Sequence, residues 1–333
     1  MQPKDQLNQP LASSRIQERS LRDRVGIYIQ ASDTVDAIAK LREAEHAGVQ
    51  QAWMAMGGAG FADVLTVLAV AATQTERIKL GTSIVPAYPR HPLVMAQQAL
   101  AVHDLAPGRL RLGVGSGNQA FLESRYGLAP TTPLRYLKEY VEVLRGVLWQ
   151  GNINHQGKFF QVIDTLPRTA QVPLLIPALG LKAFQLAGEI ADGALASLSP
   201  VPYLLEQALP ALRAGAEVRN RPAPPIVAAL PVALSADETA VLAAVLPLIQ
   251  SLAQTSPHAH MFAQAGWPSI ADGNEEELNS LARSLVISGN EATVQARVRE
   301  LLAGGLDELV LLNMPIADEA LERKQLLHLI GSL

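Results

Sequence analysis

The chain has 333 residues, of which 49% are hydrophobic, 5% aromatic and 17% charged, with a formal net charge of −4. That length and apolar content suffice for a large core, and α/β barrels of this size commonly fold as one unit. The small negative charge argues against nucleic acid as a partner. The lack of cysteine excludes disulfides, thiolate metal sites and a cysteine nucleophile.

Residues 1–24 form a polar, charged extension without the apolar stretch of a signal peptide. No apolar run reaches the ~20 residues needed to span a bilayer, so a cytoplasmic protein is expected. VGIYIQ (25–30) is the first strand, and Ser32 or Asp33 caps a helix that runs to about Ala47 and stops at Gly48. VQQAWMAM (49–56) is the second strand, followed by a glycine-rich turn and a helix over 62–73. IKLGTSIV (78–85) is an apolar, β-branched third strand that PAYPRHP (86–92) cannot continue. LVMAQQALAVHDL (93–105) has helical spacing, APG (106–108) ends it, and RLRLGVG (109–115) is the fourth strand.

A helix over 134–149 and a small hairpin, NINHQGKFFQV (152–162), precede the fifth strand, VPLLIPA (172–178). A helix over 182–189, a sixth strand over 193–197 and a helix over 203–219 follow. IVAALPVAL (226–234) is the seventh strand, with a helix over 237–252 behind it. Residues 253–288 have irregular spacing and are taken as an insert, and LDELVLLN (306–313) is the eighth strand. Eight strand–helix alternations predict a (β/α)8 TIM barrel with insertions, one domain over residues 25–333. An open doubly wound sheet is the alternative architecture.

Parallel sheets gather ligands at the carboxyl ends of their strands. Gly113, Gly115 and Gly117 end the fourth strand, where a backbone without Cβ atoms lets a planar ring lie close; the same residues also suit a plain tight turn. GVGSGN is not a dinucleotide fingerprint, because the GxxG spacing and the downstream acidic residue are missing. Ala178-Leu179-Gly180 end the fifth strand as a helix begins, so free N–H groups, the helix dipole and Lys182 can meet an anion. An ordinary turn with an exposed lysine fits as well. Tyr28 on the first strand, Trp53 and Met54 on the second and Tyr88 after the third are candidate pocket residues. Strand alternation turns only one of each adjacent pair inward. His91 can cap the following helix, and His258 and His260 in the insert are expected at the surface. No His, Asp or Glu cluster has metal-ligand spacing, so no metal is expected.

Three blocks resemble the luciferase-like family of flavin and deazaflavin oxidoreductases. The first runs from Gly81 through Ser83, Ile84, Pro86, Tyr88, Arg90, Pro92, Gly108 and Arg109 to Gly117. The second is PALGLKAFQLAGEIADGALAS (177–197) and the third SGNEATVQARVRELLAGGLDELVL (288–311). The likeness is strongest to the branch that uses coenzyme F420, which includes methylenetetrahydromethanopterin reductase-type enzymes. It implies a bacterial luciferase-like barrel and a deazaflavin held by Ser83, Ile84, Gly113, Gly115, Ser116 and Gly117. A non-prolyl cis peptide at Ser83-Ile84 would back the ring. The cofactor's phosphate would rest on Ala178, Leu179, Gly180 and Lys182, with Leu181 in place of the family's usual proline.

Two departures matter. Several deazaflavin-linked relatives carry a histidine after the second strand and a glutamate in the glycine-rich fourth strand end as proton donors. Here those segments read MAMGGAG (54–60) and GSGNQ (115–119). Tyr88 and Ser116 are then the residual candidates for proton chemistry, and serine is a poor acid at neutral pH. The resemblance implies F420-dependent hydride transfer with a small, conjugated substrate. An FMN-dependent monooxygenase served by a separate flavin reductase is the alternative, and a non-catalytic flavin-binding protein a second. A homodimer is a further expectation.

Overall fold

The computed structural model describes residues 12–56 and 62–333, so the glycine-rich turn after the second strand lies outside the described residues. The barrel strands are β1 (Val25–Tyr28), β2 (Gln51–Met54), β3 (Lys79–Thr82) and β4 (Leu110–Gly115), then β5 (Leu174–Pro177), β6 (Gly193–Ser197), β7 (Ile226–Ala233) and β8 (Glu308–Asn313). They pair in parallel, each with the next, and β8 closes on β1 through Val25 opposite Leu309 and Ile27 opposite Leu311. The closed (β/α)8 barrel is therefore the architecture, and the open sheet is excluded.

The helices behind the strands are α1 (Thr34–His46), α2 (Val64–Gln74), α3 (Pro92–Leu105), α4 (Pro133–Arg145), α5 (Leu181–Ile190) and α6 (Leu209–Val218). The last crossover holds α7 (Glu238–Ala253), α8 (Ser256–Gln264), α9 (Glu275–Leu285) and α10 (Glu291–Ala303), and α11 (Glu319–Gly331) ends the chain. Local signals set their starts: Asp33, Asp63, Asp237 and Asn290 each accept a backbone N–H from the first turn of α1, α2, α7 and α10. The stretch 253–288 is more regular than its spacing suggests. Asn274 caps α9, three glutamates occupy its first turn, and its apolar side buries Leu278, Leu281 and Leu285. A further helix, Gln119–Tyr126, follows β4, and the hairpin forms from Asn152–Gln156 and Gln161–Thr165. No single helix among the described residues is long and apolar enough to cross a membrane.

The barrel interior is filled in tiers, as such barrels require. At the amino-terminal end of the strands, Arg111 binds Glu308 with two hydrogen bonds, of 2.6 and 2.8 Å, and Gln51 with one of 2.9 Å. Gln51 bridges to Glu308 at 3.0 Å and accepts the Trp53 indole N–H at 3.1 Å. Above this floor, Trp53, Leu175, Leu195, Val227 and Val310 form an apolar layer of their own. Outside the sheet, a larger core joins the strands to the helices. The segment before β1 seals the bottom. Arg24 donates to the carbonyls of Asp307, Leu306 and Leu302, and Ser13 and Gln17 donate to the Asp307 carboxylate.

Candidate active site

The carboxyl ends of β1 to β5 hold the predicted residues. After β3 the chain forms a cis peptide at Ser83-Ile84 and then a two-residue strand, Val85–Pro86, which pairs with Val114 and Gly115. Backbone bonds hold this step from both sides. The Ser83 N–H donates to Met54 O at 2.7 Å, the Met56 N–H to Ile84 O at 3.1 Å, and the Ala87 N–H to Gly115 O at 2.8 Å. Thr82, fully buried, supplies the bonds that strand pairing does not. Its hydroxyl donates to Gly113 O at 2.9 Å and accepts the Gly113 N–H at 2.8 Å. Sequence reasoning missed Thr82, because its role depends on a strand 31 residues away.

The reason for glycine at 113 and 115 differs from the expectation of an open ring face. A Cβ on Gly113 would collide with the Thr82 carbonyl and the Leu195 side chain. One on Gly115 would meet Pro177 and Ile84. Protein atoms already fill those directions, so both glycines serve close strand packing, and the open surface lies beyond them at Ser116 and Gly117. Gly117 takes a left-handed φ of +77°. Asn118 then caps the Gln119–Tyr126 helix.

The proposed pocket residues separate. Trp53 points inward but is 0% exposed, beneath the mouth, with Arg111 4.8 Å from its ring centroid. It fills space that Gly81 leaves, since a Cβ there would strike the indole. Met54 turns the other way into the helix-side core, as alternation demands. Neither lines the mouth. Tyr28, Ile84 and Ala229 are the partly buried hydrophobic residues that pack on the Trp53 layer, on the mouth side of the barrel interior.

Tyr88, in the loop after β3, is stacked on Tyr136 of α4 with ring centroids 4.0 Å apart and planes 9° from parallel. Tyr136 also meets Tyr140, Phe159 and Phe160, so α4 and the hairpin build an aromatic wall beside the loop after β3. Burial raises the Tyr88 phenol, and burial, then Tyr88 and Glu139, push Tyr136 up to about 12. Both hold their protons at neutral pH. Glu139 anchors the hairpin by accepting the backbone N–H groups of Lys158, Phe159 and Phe160. Arg90 pairs with Asp63 and contacts the Met56 sulfur, tying the β3 loop to the start of α2. His91 caps α3 by accepting the Leu93 N–H at 3.3 Å. His260 is exposed, whereas His258 is half-buried, bonded to Thr255 and set against Phe262.

The second predicted region sits at the end of β5. Ala178 is buried, Leu179 and Gly180 are partly exposed, and Lys182 is exposed. Gly180 stands at the N-cap of α5 without any side-chain cap, and the direction of its missing Cβ is open for 4 Å. The Tyr203 hydroxyl donates to Leu179 O at 2.7 Å and fixes the turn. An uncapped helix start next to an open volume and a lysine is suited to an anion. These residues therefore fit a phosphate-bearing cofactor.

The sequence profile of the luciferase-like monooxygenases matches residues 21–308. The chain belongs to the luciferase-like monooxygenase family. It is an oxidoreductase on that family's barrel. It is 28% identical over 304 residues to 5,10-methylenetetrahydromethanopterin reductase from Methanolobus tindarius, covering 86% of this chain and 92% of that one. It is 37% identical over 180 residues to F420-dependent glucose-6-phosphate dehydrogenase from Microbacterium testaceum, covering 51% of this chain and 53% of the relative. Among solved structures, the coenzyme F420 dependent tetrahydromethanopterin reductase from Methanopyrus kandleri superposes with a TM-score of 0.74. The match has 24% identity and covers 92% of this chain and 97% of that one. The luciferase-like fold places the Ser83-Ile84 step and the Gly180 turn at one end of the barrel, at the carboxyl ends of β3 and β5.

Proposed function

We propose that this luciferase-like protein is an F420-dependent oxidoreductase that passes a hydride between the deazaflavin and a small, conjugated organic substrate. The observation that carries the reading is the uncapped, sterically open start of α5 at Gly180, on the same barrel face as the Ser83-Ile84 step. Similarity to an F420-dependent dehydrogenase supports deazaflavin as the ring. The Leu181 and Lys182 N–H groups and the Lys182 ammonium would hold phosphate, while Ser83, Ile84 and Ser116 would border the ring. A bound deazaflavin supplies two-electron hydride transfer, and the protein contributes position and electrostatics. Ile84 and Ala229 give the mouth an apolar floor, which excludes water from the reacting face and favours an uncharged substrate. The aromatic wall of Tyr88 and Tyr136 shields one side.

Fluorescence titration of the apo-protein with F420 and with FMN tests the reading. Micromolar affinity for F420 with weaker FMN binding is expected. Lys182→Ala should weaken F420 by about 5-fold, in line with the ~1 kcal/mol that a charge contributes at a helix start. Tight binding of FMN alone would overturn the cofactor assignment.

A further inference from the structure

The site lacks the acids expected of a dehydrogenase, and the interior of the barrel supplies a different group. Inward-facing Glu308 cannot serve, because it is locked to Arg111 beneath the Trp53 layer and is 1% exposed. Tyr88 is stacked on Tyr136 and is not among the residues packed on the Trp53 layer. Of the apolar and aromatic residues packed on the Trp53 layer, Ile84 and Ala229 carry no transferable proton, and Tyr28 does; Ser197, in register with Ala229, offers only a serine hydroxyl, a poor acid at neutral pH.

Tyr28 ends β1, and its ring rests on the apolar layer that also supports Ile84. Tyr28 stands in register with Trp53 of β2, so its side chain takes the same interior face. Beyond β2, the Met56 N–H donates to the Ile84 carbonyl at 3.1 Å. The extension of β2 thus holds the Ser83-Ile84 step, and Tyr28 and Ile84 rest on one apolar layer at the mouth. The hydroxyl's own proton has no acceptor among the described residues. Tyr28 is partly exposed, so a ligand in the mouth can reach it.

We propose that Tyr28 is the catalytic proton donor of this site, and that the substrate is accordingly a ketone or imine. This rests on the F420 reading above. In the reduction, a C–H bond forms as the hydride reaches the carbonyl or imine carbon. The π pair moves to oxygen or nitrogen, which takes the Tyr28 proton, and the phenolate regains a proton from water. The deazaflavin is oxidised by two electrons and the substrate is reduced by two. Burial raises the phenol above its ordinary value, which keeps it protonated at neutral pH.

The test compares wild type with Tyr28→Phe, which keeps the ring and its packing. Reduced F420 is the donor, and cyclohexanone, cyclohex-2-enone and 1-pyrroline are the acceptors. Loss of the proton donor should lower kcat by about 100-fold or more, while the F420 dissociation constant and the melting temperature stay unchanged. A second readout needs no turnover: with 13Cζ-labelled tyrosine, the resonance missing from Tyr28→Phe should move when cyclohex-2-enone is added to F420-loaded wild type. A kcat retained within about threefold, which is less than one missing proton donor should cost, would overturn the assignment. So would an unmoved resonance, or a wild type inert toward all three acceptors. Failure of the cofactor reading looks different, because F420 would then change the fluorescence of neither protein.

Discussion

Removing one partner of the Arg111–Glu308 pair strands a charge in the floor of the barrel. Burial pushes the Glu308 carboxyl up, but the Arg111 charge and hydrogen bonds outweigh it and hold the group below its ordinary value. Glu308→Gln should cost about 3–5 kcal/mol in urea unfolding, and the double change with Arg111→Met should recover much of it. A loss below 1 kcal/mol would mean that water reaches the pair. His258 makes a second prediction. Burial lowers its imidazole to about 4, whereas an unfolded histidine titrates near 6.5. The unfolded chain therefore takes up the proton first as pH falls. Stability is full above pH 6.5 and declines toward pH 4 by up to about 1.4 kcal/mol per pH unit. His258→Gln should flatten that part of the stability curve, and an unchanged slope would refute the assignment.

Between elements, backbone contact distinguishes glycines that look alike in the sequence. Helices α5 and α6 meet where Gly188 faces the Leu212 carbonyl and Gly215 faces the Gln185 carbonyl, with no room for a Cβ on either. Gly188→Ala should force the helices apart and cost about 1–3 kcal/mol or more. Gly180 has an ordinary φ of −82° and open space around its Cβ direction. Gly180→Ala should leave stability within about 0.5 kcal/mol of wild type and still weaken F420, because the methyl enters the volume assigned to phosphate. Thermal melts of the two variants, paired with the F420 titration, separate packing from ligand space. Equal destabilisation would show that the Gly180 opening is not free.

At the scale of the whole molecule, closure depends on a strand at the far end of the chain. β8 lies between β7 and β1 and carries Glu308 into the floor, and the Asp307 carboxylate accepts Ser13, Gln17 and the Ile226 N–H. Ending the chain at residue 305 would leave β1 and β7 with open edges and Arg111 without its partner. Such edges recruit other chains, so the truncated protein should aggregate, as measured by sedimentation and circular dichroism. A soluble, native-like product would show that the barrel tolerates opening.

The sequence by itself determined the alternation of eight strands with helices, and it marked many of the helix starts. Asp33 and His91 cap where their side chains and positions say they should, because a cap reaches only two or three residues along the chain. The Ala178-Leu179-Gly180 turn was legible for the same reason, since a strand end and a helix start are adjacent there. Within 253–288 the apolar spacing is weaker and predicts neither α8 nor α9, although Asn274 and its glutamates mark a start. Tertiary structure alone decided which of Trp53 and Met54 turns inward, and why Gly113 and Gly115 cannot carry a side chain. It also paired Arg111 with Glu308 across 197 residues. The physical reason is range. Helices and strands follow from periodicities among neighbours, whereas the interior of a closed barrel depends on strand register, which brings distant segments to one level.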